Sequence, residues 1–192
     1  DMTSTAEGFG FNAKPPVDLP NPAESVFPVD FGAVVSRPDG LAPVNENAPA
    51  LAQSSIGQND VAATPLQMAL VAAGIANDGE VMTPHVLGSV RARDGKVVQS
   101  YEPSVWRTAA DPSVAATMRE AMIGVVTDGT ATIMQIPGFD VGAKTGTAQL
   151  GTEPATSHAW MIAFGGPPGG EPTVAVAVVV INVDGSSNAT GG

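Results

Sequence analysis

Cysteine is absent from the 192 residues, which excludes disulfides and thiolate metal sites. Histidine occurs twice, at His85 and His158, too far apart for a recognisable metal-ligand spacing. Positive charge is scarce: eight basic residues stand singly against 19 acidic ones, for a net charge of −11 and a pI near 4.3. No basic patch can form, which argues against nucleic acid as a partner and against docking on anionic lipid by charge. Aromatic residues make up 5%, so a core must rest on Val, Ala, Ile, Leu and Met. No run reads as a secretory signal peptide or a membrane-spanning helix. The lack of cysteine suits cytosolic and extracytoplasmic proteins alike. What is plentiful is apolar residues at 43%, enough for one core, together with 22 glycines and 17 prolines, the prolines crowding the first part of the chain.

Against this background one stretch stands out, Val141-Gly-Ala-Lys-Thr-Gly-Thr-Ala-Gln149. Lys144 is one of three lysines, and its neighbours are small and uncharged. Alternation of Val141, Ala143, Thr145, Thr147 and Gln149 predicts an extended strand with hydroxyls on one face. Small residues let another backbone come close. A lone cation, hydroxyls and edge N–H groups suit an anion such as a carboxylate. The plainer alternative is an edge strand whose lysine prevents aggregation. The nine residues alone allow both.

Residues 1–60 show no convincing period. Phe9, Phe11, Val17, Leu19, Val26, Phe27, Val29 and Phe31 are spaced irregularly among five prolines, which predicts a proline-stiffened excursion with anchor points rather than helix or sheet. Gly8-Phe-Gly10-Phe-Asn-Ala13 matches a dinucleotide fingerprint as a bare pattern, but no strand precedes it and Pro15-Pro16 forbids the helix it needs. Thr64 with Pro65 opens a helix whose apolar residues, from Leu66 to Ala76, surround the axis and predict burial on nearly all sides. Asn77-Asp-Gly79 closes it, with Gly79 suited to a left-handed cap. A hairpin is expected next, Val86–Arg91 and Lys96–Tyr101 around Asp94-Gly95. A second helix is expected to be capped by Asp111 and to begin at Pro112, burying Val114, Met118, Ala121, Met122 and Val125, with Arg119 and Glu120 facing out. Thr127-Asp-Gly129 stops it, and Thr130–Met134 suits a further helical turn.

The last third changes period. The Val141–Gln149 strand, His158–Phe164 and Thr173–Asn182 predict a three-stranded antiparallel meander. The last run is apolar on both faces and is therefore expected to lie centrally in a sheet covered on both sides. No closing element follows it, so covering elements are expected to come from outside these residues. The fold class is thus α/β (α+β), an antiparallel sheet flanked by helices.

Lys144-Thr-Gly146 is one of three motifs of serine β-lactamases and penicillin-binding proteins, alongside S-x-x-K and S-D-N. Ser55-Ile-Gly-Gln58, Ala63-Thr-Pro-Leu-Gln-Met-Ala69, Ile75-Ala-Asn-Asp-Gly79, Pro84, Gly129-Thr-Ala131 and His158-Ala-Trp160 accompany it in the expected order. From about Ser54 to Asn188 the chain resembles the transpeptidase domain of class B penicillin-binding proteins, in their actinobacterial branch. The resemblance implies an incomplete penicillin-binding fold. It would comprise a Pro-rich lobe (1–60), a helical part with hairpin (61–135) and a meander carrying the Lys-Thr-Gly strand (136–185). It implies serine acyl transfer that cross-links peptidoglycan stem peptides ending in D-Ala-D-Ala, acylation by β-lactams, and no cofactor or metal. It also implies an extracytoplasmic site, with an N-terminal membrane anchor outside these residues.

By the same resemblance Lys144 and Thr145 would hold the terminal carboxylate of the peptide or antibiotic, and Gly146 would let the substrate backbone approach. Thr147 would supply an oxyanion N–H and, with Ala148, strand pairing to the substrate. The family's nucleophile motif is missing. Phe11, Arg93 and Val141 stand three residues before Lys14, Lys96 and Lys144, so no S-x-x-K exists here. The S-x-N match, Ser186-Ser-Asn188, falls after the last strand, in the wrong order for the family. The acylated serine is therefore expected in the remaining part of the same domain, outside these residues. A non-catalytic peptide-binding homologue and a β-lactamase-type hydrolase are the alternatives. Ser54, Ser55 and His158 read as structural, since Ser157-His158 are strand neighbours that cannot face each other. Trp160 reads as core, although the resemblance implies an aromatic near the cleft. Asn188-Ala-Thr190 fits a glycosylation sequon of little weight in a bacterial protein.

Overall fold

The computed structural model describes residues 2–41, 43–151 and 156–184. In chain order its elements are helix α1 (Met2–Gly8), strands β1 (Val34–Ser36) and β2 (Val44–Asn45), helices α2 (Ala48–Ser54) and α3 (Pro65–Ala76), and strands β3 (Glu80–Met82), β4 (Ser89–Arg91), β5 (Val97–Ser100) and β6 (Val105–Thr108). Helix α4 (Pro112–Thr127) and a single 3₁₀ turn (Thr132–Met134) follow, then β7 (Asp140–Gln149), β8 (Thr156–Gly166) and β9 (Val174–Asp184). The architecture is the mixed one expected, helices laid on an antiparallel sheet of order β7-β8-β9.

Helix α3 forms as its ends dictate. Thr64 Oγ1 accepts a hydrogen bond from the Gln67 N–H at 3.1 Å, and Pro65 takes the first helical position. Beyond Leu66 every residue to Ala76 is buried or half-buried. Asp78 (φ 52°) and Gly79 (φ 88°) are both left-handed, and a Cβ on Gly79 would collide with the Ala110 carbonyl, so glycine is required. Ala72, Ile75 and Ala76 meet Met122 of α4 and Ile162 and Phe164 of β8 in one cluster. A second cluster joins Val126 and Ala131 to Val141, Ala143 and Ala163. Burying each large side chain of this kind stabilises by roughly 1.5–3 kcal/mol.

Helix α4 corrects the sequence reading twice. Its buried residues are Ala115, Met122 and Val126, whereas Val114, Met118 and Ala121 are exposed. Arg119 does not face out. Its guanidinium donates to the Ala76 carbonyl at 2.9 Å and pairs with Asp78 at 2.8 Å, satisfying the C-terminal end of α3. Asp111 occupies the N-cap position without a side-chain hydrogen bond; its backbone carbonyl accepts from Val114 and Ala115 instead.

Residues 2–60 are also more regular than expected, since α1 and α2 are helical. Each has seven residues, too few for a period to emerge from the sequence. The anchors are largely polar. Gln67 Nε2 donates to the Phe9 carbonyl, Asn12 Oδ1 accepts from the Phe27 N–H, and Ser25 Oγ from the Thr64 N–H. Val26 bridges Ala62, and of the expected apolar anchors Phe27 and Phe31 are buried.

The hairpin forms as β4 and β5 around Gly95 (φ 85°), shorter than predicted. The reason is Asp18, whose carboxylate accepts from the Val86 and Leu87 N–H groups at 2.7 and 2.9 Å, taking two donors from the ladder. These two bonds, with a lesser contribution from His85, hold the Asp18 carboxyl below its ordinary range. An additional pair, β3 with β6, was not foreseen.

The meander is present. Among the described residues β9 ends the sheet order. Val174, Val176, Val178 and Val180 are exposed, while Ala175, Ala177 and Val179 are half-buried. The inward positions face α3, where small alanines let the helix come close. A strand apolar at every position cannot reveal which face is covered.

Candidate active site

Strand β7 leaves the core halfway along. Val141, Gly142 and Ala143 are buried, Lys144, Thr147 and Gln149 are exposed, and Thr145, Gly146 and Ala148 lie between. The buried half is anchored by Val126, Ala131 and Ala163. Gly142 lies opposite Phe164 in the ladder, and a Cβ there would strike the Phe164 ring. Gly142 is thus a packing glycine.

Gly146 is of another kind. It pairs with Trp160, and the nearest described atom to a Cβ placed there would be the Trp160 Cβ at 3.4 Å, an ordinary contact. Its φ is not in the left-handed range. Neither packing nor backbone conformation requires glycine here among the described residues, so the space it leaves is open.

Lys144 and Thr145 lie where the strand emerges. Lys144 Nζ donates to the Thr145 carbonyl at 2.6 Å, which lays the ammonium along the strand edge. One of its three donors is so used. Among the described residues the ion pair is Arg119–Asp78, and no carboxylate pairs with Lys144. Thr145 Oγ1 shares a hydrogen bond of 3.2 Å with Thr130 Oγ1, from the turn between α4 and the 3₁₀ segment. That contact fixes the Thr145 hydroxyl against the turn after α4.

The outer edge of β7 meets a second residue that sequence reasoning gave no role. Gln58 Nε2 donates to the Thr147 carbonyl at 2.9 Å, and the Gln149 N–H donates to Gln58 Oε1 at 3.2 Å. Thr130 and Gln58 both belong to stretches that carry the family resemblance. Their signal was their company, not their chemistry, since Gln58 and Thr147 are 89 residues apart.

The remaining candidates fall outside this group. His158 is half-buried on β8 opposite Ala148. Trp160 is half-buried opposite Gly146, so it borders the strand rather than filling the core. Ser55 Oγ donates to the Leu51 carbonyl, and the buried Ser54 accepts from Asn59. Ser186-Ser-Asn188 and the Asn188 sequon lie outside the described residues. Among the described residues no cluster of His, Asp or Glu could hold a metal, and no helix is long and apolar enough to cross a membrane.

Comparison with known proteins gives the family of this chain. The family model for the penicillin binding protein transpeptidase domain matches residues 1–192. Peptidoglycan D,D-transpeptidase PbpA of Mycolicibacterium smegmatis is 39% identical over 193 residues, covering 100% of this chain and 36% of that protein. PbpA of Mycobacterium tuberculosis is 38% identical over 198 residues, again covering 100% of this chain and 36% of its own length. The crystal structure of PBPA from Mycobacterium tuberculosis superposes with a TM-score of 0.71 at 37% identity, over 92% of this chain and 36% of that one. Its imipenem acyl-enzyme complex gives a TM-score of 0.73 at 38% identity, with the same coverage. The chain spans about a third of the length of these relatives, and it belongs to the penicillin-binding protein transpeptidase domain family.

Proposed function

We propose that this chain forms the substrate-binding wall of a serine D,D-transpeptidase that cross-links peptidoglycan and is acylated by β-lactams. The observation that carries this reading is the exposed half of β7. That half carries a cation without a carboxylate partner among the described residues, a positioned hydroxyl, an open glycine and outward-facing backbone. The relatives named as D,D-transpeptidases and the acyl-enzyme complexes of a structural neighbour support it. The donor is a stem peptide ending in D-Ala-D-Ala, and the work is done outside the cytoplasm, on a polypeptide anchored in the membrane by an N-terminal segment.

In this mechanism the terminal carboxylate of the peptide, or that of the antibiotic, binds Lys144 Nζ and the Thr145 hydroxyl. The ammonium brings charge and further N–H donors, and Thr130 holds the hydroxyl in place. Gly146 gives the ligand backbone room. The Thr147 N–H faces the acyl carbonyl and stabilises the oxyanion as the serine attacks, with the ligand backbone lying along this outer edge of β7. The serine and its lysine, absent here as an S-x-x-K, come from the rest of the domain.

Lys144→Ala in the full-length protein is the test. A hydrogen bond to a charged group contributes roughly 1.5–3 kcal/mol, so the second-order rate of acylation by a fluorescent penicillin should fall about 10- to 100-fold. Melting should hardly change, because the side chain is exposed. An unchanged acylation rate would remove Lys144 from the carboxylate site.

A further inference from the structure

We propose that Gln58 is a positioning residue for this site, its carboxamide acting as a one-residue substitute for a neighbouring strand on the outer edge of β7. The inference rests on the acyl-transfer reading above and adds a residue that this reading does not use.

In an extended strand the carbonyl of one residue and the N–H of the residue two further on face the same edge. Gln58 meets such a pair. Its Nε2 donates to the Thr147 carbonyl and its Oε1 accepts from the Gln149 N–H, at 2.9 and 3.2 Å. A planar amide that donates and accepts at once reproduces the hydrogen bonding of one strand residue, whose own N–H and C=O face the same edge. The two bonds fix the peptide units directly after Thr147, and so limit rotation of the Thr147 backbone that presents the proposed oxyanion donor. They also end the open edge, because Gln58 occupies the Thr147 carbonyl and the Gln149 N–H and leaves a ligand the Thr147 N–H.

The carboxamide is itself held. Beyond α2, the Ile56 N–H donates to the Gln53 carbonyl, the Gly57 N–H to Ser54, and the Gln58 N–H to Gln53. Gly57 turns with φ 76° and Asn59 with φ 60°, and the Asn59 side chain bonds the buried Ser54 hydroxyl at 3.4 Å. Gln58 is half-buried, while Thr147 and Gln149, its partners, are exposed. A tight turn thus aims one amide at one point of the strand. This accounts for a glutamine there better than general solubility does, since a solvent-facing residue needs no such support.

The experiment uses the full-length protein and a fluorescent penicillin, with acylation resolved into a non-covalent dissociation constant and a first-order acylation constant. Gln58→Met removes both bonds, and Gln58→Glu removes only the donor. Loss of an oxyanion donor costs about 100- to 1000-fold, and loosening one should cost less, about 10-fold in the acylation constant of both variants, with the dissociation constant within about 2-fold. As pH falls from about 7 to about 4, through the ordinary glutamate value of about 4.3, the Gln58→Glu carboxyl gains a proton and with it a donor, so its rate should recover relative to wild type while that of Gln58→Met should not. Wild-type rates in both variants, a loss confined to the dissociation constant, or a loss that tracks the melting temperature without recovery in acid would each overturn the proposal. Lys144→Ala run in parallel separates the two ideas. A slow Lys144→Ala with normal Gln58 variants overturns the clamp alone, and a wild-type protein that takes no label overturns both.

Discussion

The two ends of β7 contrast within a single strand. At its start Val141 and Ala143 are sealed beneath α4, and Gly142 admits the ring of Phe164. At its end Lys144, Thr147 and Gln149 stand in solvent, held from the side by Thr130 and Gln58. An open strand edge able to take a ligand is by itself mobile and prone to pair wrongly. A root buried in the core supplies rigidity to a tip that cannot bury itself. The root answers to packing and the tip to chemistry, and substitutions at the two should separate stability from activity.

The largest effect is expected from breaking the root. Ala143 is 0% exposed, and Ala143→Asp would bury a carboxylate without a partner. The cost of several kcal/mol is a large part of the roughly 5–15 kcal/mol that holds a domain folded. Soluble yield and the circular-dichroism melt of the full-length protein should both collapse; a normal melt would mean that the root is not buried. At the tip, Thr145→Val keeps shape but removes the hydroxyl and its contact with Thr130. Losing one neutral hydrogen bond, roughly 0.5–1.5 kcal/mol, should slow penicillin acylation about 3- to 10-fold with little change in melting. If melting drops as much as activity does, the Thr130–Thr145 contact belongs to the root's function and not the tip's.

The smallest effect should come from a region with neither role. Asp18→Asn weakens the clamp on Val86 and Leu87 beside the hairpin, far in sequence from β7. Hydrogen exchange of those two amides should quicken, and acylation should not change. The folded Asp18 carboxyl lies below its ordinary value, so its contribution is present above the unfolded value near about 3.9 and fades as pH falls through the lower folded value. Wild type and variant should therefore converge in acid. A difference that persists there would assign the effect to side-chain shape and not charge.

Legibility in the sequence followed the range of the interactions involved. Helix α3 could be read because Thr64, Pro65 and Gly79 act within a few residues of themselves, and its apolar run left no face to choose. The meander could be read from turns and alternation, and Lys144-Thr-Gly146 from its company. The short helices α1 and α2 could not, since two turns carry no period. The buried face of α4 was misjudged because Val114 and Met118 are apolar yet exposed among the described residues, while Arg119 reaches the end of α3. For β9, uniform valine and alanine erased the difference between its covered and uncovered sides.

By itself the amino-acid order determined where α3 and α4 start and stop, that an antiparallel meander carries the Lys-Thr-Gly strand, and which family the motifs resemble. Those are properties of local backbone geometry and of residue types in sequence. Tertiary structure alone decided which half of β7 is buried, that Gly142 serves Phe164 while Gly146 leaves open space, and that Thr130 and Gln58 brace the site. Each of these depends on atoms brought together from distant parts of the chain, and a hydrogen bond or a packing contact has no trace in sequence until folding closes the loop between its partners.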